Sequence, residues 1–174
     1  LLCRFDGQRV TMASQMAEAD ETVSSLYSVK SEQATMLSFD TYNYLVHYFG
    51  QPQGSMSDDP NGTLGGDYEF IISSASAERI ELKGKKYGNR IVMKALSEDQ
   101  TWKQYLTKIK KVEDDAFFYE YDLLMDGLYT GQMLRSNYTF IVTYYDEIGK
   151  VHQKTVPFMF TADGMRFHEP VTID

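Results

Sequence analysis

The sequence predicts a mainly β protein, an antiparallel meander closing toward a barrel or strongly curved sheet, with one α-helix packed on it. Three observations carry that expectation. First, apolar and polar residues alternate over short runs. Tyr68, Phe70 and Ile72 alternate with Glu69, Ile71 and Ser73; Ile80 and Leu82 with Glu81 and Lys83; Ile91, Met93 and Ala95 with Val92 and Lys94. A period of two marks half-buried strands. Second, the runs are divided by small residues and by Gly with Asn or Asp, which turn because they tolerate positive φ. Third, one stretch alone, about 97–112, sustains a helical period over several turns.

At 174 residues the chain holds one domain, or one and part of another. The expected division is 1–115 as a first β unit with the helix and 116–174 as the start of a second, similar unit, unless the whole is one continuous domain. Hydrophobic residues make up 43%, enough for a real core. The 13 tyrosines and 10 phenylalanines favour strands and, where exposed, binding faces. A net charge of −8 argues against nucleic acid and anionic membrane surfaces, which both need a basic field. Cys3 is the single cysteine, so no intramolecular disulfide forms, and the redox compartment stays open. No apolar run approaches the ~20 residues of a membrane span. The opening Leu1-Leu2-Cys3-Arg4-Phe5 does not read as a signal peptide, lacking a charged start and a long apolar stretch, and it resembles a lipid-attachment cysteine only superficially, since Leu2 stands where a small residue is expected. With no initiator Met, the chain reads as a piece of a longer precursor.

In order, residues 1–14 form a hairpin about Asp6-Gly7. Residues 15–21 are a polar loop. Residues 23–30 and 34–39 pair as strands. Residues 41–50, TYNYLVHYFG, fit a short helix and a strand equally well. Residues 51–66, with Pro52, Pro60 and several Gly, form a long loop. The meander of 64–95 follows. The helix starts at Ser97, with Gln100 three positions on as a capping box, and carries an apolar stripe of Trp102, Tyr105, Leu106, Ile109 and Val112. Trp102 is its expected anchor. Glu113-Asp114-Asp115 ends it. Strands resume at 119–125, turn at Asp126-Gly127, and continue at 138–145 and 151–161, where Pro157 places the strand near an edge or bulge. Asp163-Gly164 turns into Met165-Arg166-Phe167. A faint echo links Tyr27-Ser28-Val29 and Leu37-Ser38-Phe39 to Tyr138-Thr139-Phe140 and Phe158-Met159-Phe160. The curvature expected of such a meander is of calycin or lipocalin type.

LSFDTYN at 37–43, GGDYEFIISSAS at 65–76, IELKGKKYGNRIVM at 80–93 and TVPFMFTADGMRFHEPV at 155–171 resemble a family of Bacteroidetes outer-membrane lipoproteins known as a domain of unknown function. The resemblance covers most of the chain. It implies an exported protein, lipid-anchored at the outer membrane or cell surface and encoded near nutrient-uptake components. It brings no catalytic residues, and the lipobox of the longer family members is not visible in this chain.

Candidate chemistry is sparse. His47, His152 and His168 begin no HxH or HExxH pair, and Pro170 follows His168-Glu169, so surface or hydrogen-bonded histidines are the better reading. Asp58-Asp59-Pro60-Asn61-Gly62-Thr63 offers oxygen ligands without the spacing of a calcium loop. Gly65-Gly66 precedes a strand and so lacks the helix N-terminus that cradles phosphate. No GxSxG elbow occurs. Lys83, Lys85, Lys86 and Arg90 read as a solubilising edge. Asn61 and Asn137 open glycosylation sequons by letter only. Tyr42, Tyr44, Tyr48 and Phe49 could stack on a sugar or peptide, though filling a core is the favoured reading.

With no catalytic constellation in the residues, the family resemblance implies a non-enzymatic exported binding or accessory module of a surface nutrient-uptake system as the expected function. It needs no cofactor or metal and has no catalytic residues. Its partner is a small ligand, glycan or peptide, or another surface lipoprotein. The alternatives are a glycan- or peptide-acting hydrolase using Asp58, Asp59 and the acids at 113–115, and a purely structural scaffold.

Overall fold

The computed structural model describes residues 1–31, 33–52, 63–97 and 99–172. It divides into two units, Leu1–Gln104 and Tyr105–Asp174. The antiparallel β architecture stands as expected: the two sheets are curled half-barrels.

The first unit is a seven-stranded sheet whose spatial order, β1-β2-β3-β4-β5-β6-β7, repeats its chain order. β1 (Leu2–Asp6) and β2 (Arg9–Ala13) form the opening hairpin, with Gly7 at φ +57°. β3 (Val23–Ser31) and β4 (Thr35–Phe39) follow. In β4, Met36, Leu37, Ser38 and Phe39 are all buried, so this strand is covered on both faces. β5 (Glu69–Ala75), β6 (Arg79–Gly84) and β7 (Arg90–Lys94) complete the meander. The small residues at 73–76 were expected to turn. Instead β5 runs on to Ala75, with a bulge between Ile72 and Ser74 that absorbs Ser73. Among the described residues β1 and β7 are open edges, so the curved-sheet form of the expectation is the one adopted.

The core of this unit gathers Val10, Met12, Leu37, Phe39, Phe70 and Leu82 under the short helix α1 (Tyr44–His47), which contributes Leu45 and Val46. A 3-10 turn, Tyr48–Gly50, extends that helix. Each large side chain buried here contributes about 1.5–3 kcal/mol.

The helix α2 (Trp102–Asp115) begins later than the sequence implied. Its capping box is Thr101 with Gln104: the Gln104 N–H donates to Thr101 Oγ1 at 3.2 Å, and the Thr101 N–H donates to Gln104 Oε1 at 3.0 Å. Ser97 instead donates its hydroxyl to Asp99. Trp102 is not a core anchor either; it is half-buried, with the Arg4 guanidinium 5.2 Å from its ring centroid.

The second unit is a five-stranded sheet, also in chain order: β8 (Glu120–Met125), β9 (Leu128–Ser136), β10 (Thr139–Tyr145), β11 (Val151–Thr161) and β12 (Gly164–Phe167). Asp126 and Gly127, at φ +50° and +79°, make the tight β8–β9 turn that the Asp-Gly pair foretold. Phe140, Val142 and Tyr144 of β10 pack with Val156, Phe158 and Phe160 of β11, and Ile109 of α2 seals them, with Tyr105 and Val112 beside it. Pro157 sits opposite Thr139, one residue before β12 begins to pair at Phe158, where the missing N–H breaks no β11–β12 pairing. The two halves of the sequence echo fall at the hairpins β3–β4 and β10–β11.

Candidate functional site

The corner between β4 and β5 concentrates the side chains that could meet a ligand. Its foundation is Asn43, fully buried and N-cap of α1. Its Oδ1 accepts the Leu45 N–H at 3.1 Å, and its Nδ2 lies 3.2 Å from both Ser25 Oγ and Met12 Sδ. The extended backbone at Asn43, φ −137° and ψ 111°, is that of a residue just outside the helix it starts. That cap decides between helix and strand for 41–50.

One helical turn on, His47 Nδ1 lies 3.1 Å from the Asn43 nitrogen and 3.0 Å from its carbonyl oxygen, so Asn43 holds the ring whichever tautomer is present. The His47 ring stacks on Tyr68, with centroids 5.0 Å apart and planes 21° off parallel. Tyr42 stands on the other contact, 5.5 Å away and tilted by 41°. Tyr42 is 63% exposed and Tyr68 45%, so the three rings form a platform open to solvent. Neither Tyr42 nor Tyr68 hydroxyl has a hydrogen-bond partner among the described residues.

The neighbouring backbone is fixed tightly. The Asp67 carboxylate, beside Tyr68 and almost fully buried, accepts from the Lys86 N–H at 2.7 Å, the Tyr87 N–H at 3.1 Å and Asn89 Nδ2 at 2.9 Å. Asn89 Nδ2 also donates to the Gly65 carbonyl, and Thr63 shares a 2.8 Å hydrogen bond with the Tyr87 hydroxyl. Gly84 leaves room for this carboxylate: a Cβ there would lie 1.9 Å from Asp67 Oδ2. Gly50 and Gly66 are similarly close-packed, against the Tyr68 ring and against Phe49.

Of the aromatic run singled out in the sequence, Tyr42 joins the platform. Tyr48 is about one-third exposed (36%) and edge-on to a half-buried Phe49, while Leu45 and Val46 supply the core. Tyr44 is half-buried and donates to Glu21 Oε1 at 2.6 Å; that bond to a carboxylate pushes the phenol above its ordinary range. In the sequence His47 has no metal-ligand spacing and Tyr68 carries only a strand signal. The signal that unites them is tertiary.

The other expected sites stay apart. His152 Nε2 lies 2.8 Å from Asp146 Oδ2 across the β10–β11 hairpin, and its ring stacks on Tyr144. The His152 bond, followed by the Lys150 N–H, holds the Asp146 carboxyl below its usual range. His168 follows β12 and donates its N–H to the Pro157 carbonyl. No group of three His, Cys, Asp or Glu poised for a metal occurs among the described residues. Asp58, Asp59 and Asn61 lie outside the described residues. In the other acid run, Glu113 accepts from the Tyr138 hydroxyl at 2.7 Å, and Asp115 pairs with Lys111 at 2.7 Å. Lys85 pairs with Glu69 and Arg90 approaches Glu81, as suits a solvated edge.

A separate open cleft of about 590 Å³ in the first unit is lined by Arg4, Asp20, Gln100, Trp102 and Lys103, among others. Asp20 and Lys103 bridge it at 2.9 Å, and the hydrogen bond from Lys103 holds the Asp20 carboxyl below its ordinary value.

The architecture and this corner define a two-unit antiparallel β protein with a surface aromatic platform. Residues 1–174 match the family model described as a domain of unknown function, DUF4302, and the chain belongs to that family. No curated protein and no solved structure matches it.

Proposed function

We propose that this chain is an exported, non-enzymatic binding module of a surface nutrient-uptake system, and that the Tyr42–His47–Tyr68 platform is its ligand face. The observation that carries the reading is the exposure of Tyr42 and Tyr68, both in ring contact with a His47 that the fully buried Asn43 holds in place. Exposed aromatic groups normally cost hydration, and holding them rigid removes an entropic penalty from binding. The sequence resemblance to Bacteroidetes outer-membrane lipoproteins supports export and a lipid anchor in the full-length protein.

A thermal-shift screen of the folded chain against haem, oligosaccharides and peptides tests the binding reading. A ligand that raises the melting temperature in a concentration-dependent way is the expected outcome. A flat screen counts against it. Protease shaving of intact cells expressing the full-length protein tests surface location; protection from protease until the cells are lysed would overturn it.

A further inference from the structure

We infer that the platform of Tyr42, His47 and Tyr68 takes a neutral saccharide, stacking the C–H face of a sugar ring on Tyr68 or Tyr42. This rests on the binding-module reading and adds the ligand's chemical class.

Four observations select that chemistry. The three rings are apolar surfaces with polar margins, and two phenol hydroxyls have no partner among the described residues. A pyranose presents the complementary surface, an apolar face ringed by hydroxyls. The platform is open, and neither of the clefts at 4–103 and 7–40 is lined by its rings. A flat hydrophobic cofactor needs a concave site that encloses most of its area. The strands flanking the platform, β4 and β5, are each paired on both sides, so no free ladder exists there for an added peptide strand. The charged neighbours in sequence are all engaged: Asp40 by Ser38 at 2.7 Å and Lys30 at 3.4 Å, Asp67 by the Lys86 and Tyr87 N–H groups, and Glu69 by Lys85 at 2.9 Å. No ring of the platform therefore stands beside an unpaired charge that would call for an ionic ligand.

The rings are also placed in advance. Asn43 holds His47, Gly50 packs close to one side of the Tyr68 ring, and Asp67 pins the backbone one residue before Tyr68. Stacking then proceeds with little reordering of the protein.

The test is isothermal titration and ligand-observed NMR of the folded chain with cellohexaose, maltohexaose, xylohexaose and chitohexaose, beside a panel of unstructured peptides. Tyr68→Ala and Tyr42→Ala should each weaken saccharide binding about tenfold, the scale of one lost aromatic contact. Tyr68→Phe should retain most of it, because the ring face remains. Tyr129→Ala, an exposed tyrosine of the second unit, should change nothing. Circular dichroism and thermal melts verify that each variant folds; if Tyr68→Ala does not, Tyr42→Ala on the 63% exposed ring carries the test. Saccharide binding that survives both alanine variants overturns the platform assignment. Absence of binding to every saccharide, with peptide binding that depends on the same rings, overturns the ligand class and leaves the module reading standing. Absence of any binding overturns both.

Discussion

Replacing Gly84 by alanine tests whether the Asp67 carboxylate organises the wall behind the platform. The added Cβ would lie 1.9 Å from Asp67 Oδ2, 2.3 Å from its Cγ and 3.0 Å from the Asn89 nitrogen. No real contact is that short, so the carboxylate must move. In doing so it gives up its bonds to the Lys86 N–H, the Tyr87 N–H and Asn89 Nδ2. Hydrogen bonds to a charged group contribute about 1.5–3 kcal/mol each. Partial replacement by water reduces the loss, and about 2–4 kcal/mol is the expected cost, read by urea unfolding followed by circular dichroism. The mechanism has a sharper signature in a cycle with Asp67→Ala. Once the carboxylate is gone, Gly84→Ala has little left to displace, so the double variant should fall short of the summed single losses by more than about 1 kcal/mol. Strict additivity, or a Gly84→Ala cost below about 0.5 kcal/mol, would refute this account of the hairpin.

Three further expectations follow from the described geometry. Asn43→Ala removes the cap and strands the Leu45 N–H in the core, so unfolding free energy should drop by about 2–3 kcal/mol, measured by urea titration, with Asn43→Asp recovering part of it. Burial pushes the Cys3 thiol up to about 11, so its reaction with an aromatic disulfide reagent at pH 8 should be much slower than that of the unfolded chain and should accelerate as pH rises toward that value. Asp146 titrates below its ordinary value, chiefly through the His152 bond. Its contribution is therefore present above the unfolded carboxylate's pKa and is lost as pH falls through the lower folded one. Asp146→Asn should flatten the acid limb of a stability–pH curve, and an unchanged limb would count against the Asp146–His152 link.

Much of the fold was legible because strands and their turns leave local marks. Asp6-Gly7 and Asp126-Gly127 specify turns by their own backbone preferences, and the alternation at 68–73 and 80–83 specifies faces. What failed to show depends on neighbours far along the chain. β9 carries Gly131, Gln132 and Arg135 and lacks a clean alternation; Gly131 is there because a Cβ would stand 2.1 Å from the Thr143 carbonyl oxygen of β10. The sequence points to Ser97 as the start of α2, yet Ser97 with Gln100 and Thr101 with Gln104 spell the same box, and only hydrogen-bond geometry separates them. The platform was half visible. Tyr42 belonged to a conspicuous aromatic run, whereas Tyr68 sits 26 positions later and meets His47 only once β4 and β5 have paired.

In each sheet, every strand lies next to the one made just before it. Nothing has to be threaded and no seat must be kept vacant for a segment still to come. A chain emerging from one end can therefore zip up by adding ribs in succession, each new rib closing against the one before it. For a polypeptide delivered progressively through a narrow exit, that order of assembly leaves open only the outer edge of the first rib and that of the newest one.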